Sequence, residues 1–223
     1  MHQVVQIMRQ IARHEAVQRV GAYLGTVKSV QGGPDDHSCT VELRESRIVL
    51  PNVPIAVGFM GFAALPAEGD LVVVIFLGGD LHAPIIAGRL YTKDLQPPAH
   101  GPDELVVQLP VDADSDKRIE LRVKTPSDGS RDLSLVLDGD VRVELTIGND
   151  GITLKAQDVK LQLSQTSASD GKLEITVGKA KMSFAQGGDV SIETSGKLTL
   201  KGQSVEISGD ASVKVAGQTI NLN

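Results

Sequence analysis

The sequence predicts an all-β protein in two modules, a small closed barrel followed by a long glycine-stepped β-repeat, with a short helix at the N-terminus. Three observations carry that prediction. Aromatic residues make up only 3% of the 223 and tryptophan is absent, so a core must be built from Val, Ile and Leu, which suits layered strands. Apolar pairs at i and i+2 recur through the second half of the chain, and many of the 23 glycines fall between them. Helical spacing of apolar residues is confined to the first twenty residues.

That first segment, residues 1–20, places Val4, Ile7, Met8 and Ile11 at helical spacing, and Gly21 ends the run. Arg9, Arg13, His14, Glu15 and Arg19 interrupt it, which excludes a signal peptide or a membrane span. The segment reads either as a helix packed on its own domain or as an arm that docks on a neighbour.

Residues 21–95 read as the barrel. Tyr23 to Val30 is a strand that ends at Gly32-Gly33-Pro34. Cys39, Val41 and Leu43 alternate with polar residues, the pattern of a half-buried strand. Arg47 to Val57 is broken by Pro51 and Pro54, which makes it an edge or bulged strand. Leu71 to Leu77 is continuously apolar and is expected to be central and buried; Gly78-Gly79-Asp80 turns it, and Pro84 to Leu90 pairs back. Five strands in so short a length favour closure, because closure removes exposed edges.

Residues 96–110, with Pro97, Pro98, Gly101 and Pro102, read as a linker. Five of the six aromatic residues and all five histidines lie before residue 101, so composition changes at this point. Residues 111–223 then form the repeat. From Ile175/Val177 the first members of successive apolar pairs step by 7 or 8 residues, through Met182/Phe184, Val190/Ile192, Leu198/Leu200, Val205/Ile207, Val213/Val215 and Ile220/Leu222. A strand with two inward residues cannot bury its own face, and no helix is available to cover it. The strands must face one another, as three sides of a single-chain solenoid or as three chains wound together. Val190, Ile192, Leu198, Leu200, Val205, Ile207, Val213, Val215, Ile220 and Leu222 form the expected core. Their burial contributes roughly 15–30 kcal/mol per chain, an upper bound before chain entropy.

The run Gly69 to Asp80 followed by Ala83 to Tyr91 resembles the end of the OB-fold domain of contractile-tail spike proteins. These are the phage baseplate assembly protein V family and the related valine-glycine repeat spike proteins of type VI secretion. The C-terminal steps resemble that family's intertwined triple-stranded β-helix. The resemblance implies a homotrimeric needle on the axis of a virion tail baseplate or equivalent injection particle, with baseplate hub proteins at the OB end. On sheath contraction the needle would pierce the outer envelope of the target cell. A chain made in the cytoplasm without a signal peptide fits this assignment.

Two departures from the family pattern matter. Many short phage members end in His-x-His, where three chains hold an iron ion, but no histidine follows His100 here. No metal or other cofactor is therefore expected, and a blunt end calls for a separate PAAR-type tip protein. Large relatives insert a peptidoglycan-cleaving domain between barrel and needle, for which the linker is too short. The expected function is structural and not enzymatic.

The other candidate sites are weaker. Asp112, Asp114 and Asp116 approach the spacing of a calcium loop but lack its glycine and closing Glu, so they read as solvated turn acids. Asp138-Gly139-Asp140 reads as a hairpin turn. Cys39 reads as an inert core thiol and His82 as an exposed turn residue. Neither a Gly-x-Ser-x-Gly elbow nor a phosphate-cradling loop occurs. Nucleic acid is disfavoured by a net charge of −6, since single-strand binding needs a basic groove with stacking aromatics. Phe59, Met60 and Phe62 are too apolar to face water alone and read either as a plug over the barrel end or, in preference, as a barrel interface. The competing expectation is a single-chain β-solenoid that binds glycans, as an adhesin or depolymerase.

Overall fold

The computed structural model describes residues 5–9, 21–31, 33, 36–111 and 117–221. The chain divides into two compact units, Met1–Pro97 and Pro98–Asn223. Among the described residues no helix is long and apolar enough to cross a membrane.

In the first unit, residues 5–9 are helical and exposed on every side; the rest of the expected N-terminal helix lies outside the described residues. The barrel strands are β1 (Tyr23–Val30), β2 (Ser38–Leu43), β3 (Val49–Pro54), β4 (Leu71–Phe76) and β5 (Pro84–Leu90). They form one antiparallel sheet in the order β3-β2-β1-β4-β5. The sheet curls until its two edges meet: Ile55 and Ile86 make a parallel bridge, and the Ala56 amide donates to the Ile86 carbonyl at 2.9 Å. The result is an OB-like half-barrel. Its core is aliphatic, with Val27, Val41, Val53, Val72, Val74 and Ile86 fully buried, and Tyr23 packs edge-on against Phe76 at a centroid distance of 5.5 Å.

The prolines of β3 act as the sequence indicates. That strand is a sheet edge, where a missing N–H is tolerated, and Pro51-Asn52 bulges out opposite β2, with Asn52 at φ 52°. The continuously apolar β4 is central, but only half of it is buried. Val72, Val74 and Phe76 enter the core, whereas Leu71, Val73 and Ile75 point to the outer side and remain half-buried. A run of branched aliphatics satisfies strand propensity on both faces, so it does not reveal that one face lacks a covering layer.

Gly25 sits where β1 crosses the core. A Cβ built there lies 2.2 Å from Val41 Cγ1, so Gly25→Ala forces a core side chain to move. The expected cost is about 1–3 kcal/mol, read as a lower urea midpoint with an unchanged slope.

Among the described residues the second unit is a single meander of nine antiparallel strands, each paired with the next. They are β6 (Glu104–Leu109), β7 (Ile119–Lys124), β8 (Asp132–Leu137), β9 (Val143–Gly148), β10 (Gly151–Ala156), β11 (Val159–Ser164), β12 (Lys172–Val177), β13 (Ala180–Ala185) and β14 (Val190–Thr194). Strand β6 occupies most of the second half of the segment expected to be linker. The alternation Leu105, Val107, Leu109 is sufficient for a strand once β7 pairs with it. Gln157 and Gly178 open two-residue hairpins with positive φ, 49° and 55°, matching the twist of the strands they join.

Beyond Thr194 the structure departs from expectation. No strand forms over 195–221, although Leu198/Leu200, Val205/Ile207 and Val213/Val215 keep the alternation. A strand needs a neighbour for its backbone N–H and C=O groups, and within one chain this segment has none. Among the described residues the second unit is one layer of strands, not the three-sided single-chain solenoid of the competing expectation.

Candidate assembly surface

The register of the meander aligns its side chains in rows, because directly opposed residues in paired strands share a face. One row runs Leu105, Val123, Leu133, Ile147, Ile152, Leu163, Leu173, Phe184, Val190. The middle row runs Val107, Leu121, Leu135, Leu145, Leu154, Leu161, Ile175, Met182, Ile192. A third begins at Leu109, Ile119, Leu137 and Val143 and ends at Val177, Ala180 and Thr194. These three rows lie on one face, and apart from Thr194 every position in them is apolar. Little of this face is covered: Leu105 is 61% exposed, and Val107, Leu154, Leu161, Leu163 and Ile192 are all exposed.

The opposite face is polar and knitted by charge. Lys124, Glu104, Arg122, Glu120, Arg118, Asp138, Arg142 and Glu144 form an unbroken chain of alternating sign across β6 to β9. Successive N–O distances are 3.1, 2.6, 3.0, 3.9, 2.9, 2.8 and 3.9 Å. Val136 is buried on this face, flanked in register by Glu120 and Glu144. Asp138, read from sequence as part of a simple hairpin turn, is only 4% exposed and accepts from both Arg118 and Arg142. The turn is real; the ion pairs connect residues 20 and 4 positions apart, which spacing along the chain does not reveal.

Several carboxylates are held ionised. The Gly101 amide, then Lys124 and Arg122, lower the Glu104 carboxyl below its ordinary value; Lys181, then Lys172, do the same for Glu174. On the barrel, Arg47 and then Lys28 lower Glu42. A folded-state pKa below the unfolded one gives stability that is present above the unfolded carboxylate range near about pH 4 and is lost as pH falls through it. The thermal midpoint is therefore expected to drop with acidification below about pH 5, and Glu174→Gln to flatten that drop. An equally steep profile in Glu174→Gln would contradict the assignment.

The residues expected to line a trimer core fall into two groups. Val190 and Ile192 lie on β14 at the ends of two of the rows. Leu198, Leu200, Val205, Ile207, Val213, Val215 and Ile220 are exposed along the strandless segment, and Leu222 lies outside the described residues. The apolar face from β6 to β13 was absent from that core set, because loops of unequal length break the step that makes 190–222 conspicuous. The signal was nonetheless present, as three apolar alternations in most strands.

On the barrel, Phe59, Met60 and Phe62 project from the loop between β3 and β4. Met60 is 91% exposed, and the two rings lean on each other at 5.7 Å. Cys39 is completely buried, and desolvation raises its thiol pKa; His82 is exposed, with its amide donating to Asp80 Oδ1 at 2.9 Å. Asp112, Asp114 and Asp116 lie outside the described residues. Among the described residues no three His, Cys, Asp or Glu side chains gather as a metal site.

No curated protein matches the chain. Residues 23–91 match the family model of the type VI secretion system/phage-baseplate injector OB domain, and those residues run from the first residue of β1 to just past the end of β5. The curled five-stranded sheet is what that match requires, and the match supports a structural baseplate role in general. Over residues 23–91 the chain is therefore similar to the type VI secretion system/phage-baseplate injector OB domain.

Proposed function

We propose that the chain is the central spike of a contractile injection system, a homotrimeric needle that pierces the target cell envelope when the sheath contracts. The observation that carries this reading is the apolar face of three rows on β6 to β14, bare in the single chain. Burying what remains exposed at about 1 kcal/mol per side chain offers on the order of 20 kcal/mol per chain before the cost of association. Three such sheets set face to face make a prism with a dry aliphatic axis and a charged skin.

The segment 195–221 supports three copies over two. Each of its repeats offers only two apolar residues at i and i+2, too narrow for a two-sheet sandwich, and its backbone groups require neighbours that two further chains would supply. In this reading it forms the intertwined triple-stranded β-helix, with Val190 through Leu222 on the axis. The needle then begins at β6, earlier than residue 111, and residues 96–103 remain as connection. Residues 1–20 are an arm and 21–95 the adaptor to baseplate hub proteins, with Phe59, Met60 and Phe62 at a barrel interface. A PAAR-type protein caps the C-terminal end. The spike works mechanically, without catalysis or cofactor.

Electron microscopy of the parent particle, with an antibody against the barrel, tests the placement. Label on the tail axis at the baseplate is expected; label on peripheral fibres would place the chain among adhesins instead.

A further inference from the structure

The outer side of the barrel carries an apolar patch of its own. Because Val72, Val74 and Phe76 point into the core, their neighbours Leu71, Val73 and Ile75 point out, and register places four more residues beside them. Leu24 and Gly88 flank Val73, Leu90 flanks Leu71, and Ile85 flanks Ile75. Leu24 and Leu90 are more than 40% exposed. A Cβ built on Gly88 meets nothing within 4 Å, so the space beside Val73 is open.

The same unit holds an unpartnered apolar element. Val5, Ile7 and Met8 on the N-terminal helix are all exposed, so that helix does not cover the patch of its own barrel. Charge favours bringing the two together. Residues 1–20 carry Arg9, Arg13 and Arg19 against Glu15, while residues 21–97 carry eight carboxylates against five Lys and Arg. Residues 10–20 can span at most about 36–40 Å, enough to cross from one small domain to the next.

We propose that the N-terminal arm of each chain docks through Ile7 and Met8 on the β1/β4/β5 outer face of the neighbouring copy, with the open space at Gly88 at the centre of the contact. This rests on the trimer reading. In a three-fold ring each contact is heterologous, so an element that protrudes from one copy requires a different, receiving surface on the next. Arm and patch supply that pair, and three exchanges close the ring around the barrels.

Cross-linking tests it in the full chain. With Cys39→Ala removing the native thiol, Met8→Cys is combined with Leu90→Cys and treated with a short bismaleimide; Ile7→Cys with Leu24→Cys is the second pair, should the first misfold. Light scattering before treatment reports assembly independently. The expected result is a particle of three chains from which most of the protein runs on denaturing gels as covalent dimer and trimer, with neither single-cysteine control doing so. Three-chain particles that yield only internally linked single chains, or no product, overturn the exchange and leave the trimer standing. A one-chain particle overturns the assembly on which the exchange rests.

Discussion

Ile207→Asp is expected to abolish assembly of the chain into trimers while the barrel remains folded. In the single chain Ile207 is 69% exposed and lies in no strand, so a carboxylate there costs a solitary protein nothing. In a needle the same substitution sets three like charges around one dry axis. Each buried, unpaired charge costs on the order of 3–5 kcal/mol, and mutual repulsion at short range adds to it. Val205→Asp makes the same test two residues earlier. Light scattering reads the assembly, and limited proteolysis followed by mass analysis reads whether residues 21–95 survive as a protected fragment. A trimer that keeps its wild-type mass and heat resistance would remove 205–207 from the axis.

Gly151→Ala is expected to be the most damaging single-methyl change in the meander. Gly151 opens β10 at φ 143°, a conformation closed to side chains, and a Cβ there would lie 2.0 Å from the Leu163 carbonyl oxygen on β11. The obstacle is backbone, so relief requires β10 and β11 to part and their ladder to break. The expected loss is about 3 kcal/mol or more, beyond ordinary overpacking. Gly178→Ala provides the contrast, since that residue sits at φ 55° with open space around it. It is expected to lose only about 1–2 kcal/mol, the cost of a left-handed alanine. Comparing the two denaturation midpoints separates the steric from the conformational contribution.

Much of the barrel was legible in the sequence because its strands are separated by strong turn signals. Pro84 to Leu90 and Tyr23 to Val30 begin and end as the residues indicate, and Pro51 marks the bulged edge. The half-exposure of β4 was not legible, since Leu71, Val73 and Ile75 are as hydrophobic as the residues between them. Composition sees residue type and not which layers are present. In the second unit, the step of 7 or 8 residues drew attention to 190–222, where the single chain builds almost no secondary structure. The face that does form, from Leu105 to Val190, is hidden in sequence by long loops such as 125–131 and 165–171. Register aligns the rows, and register depends on which strand pairs with which. The alternating ion pairs from Lys124 to Glu144 were likewise illegible, being contacts between strands rather than neighbours along one.

The central claim is that the bare three-row face finds cover only against two further copies of the same chain. Absolute mass by light scattering at low micromolar concentration tests it most directly. The account predicts a particle of about 71 kDa, three copies of the 23.6 kDa chain, that does not dissociate on dilution. A folded, soluble species at 23.6 kDa would contradict it.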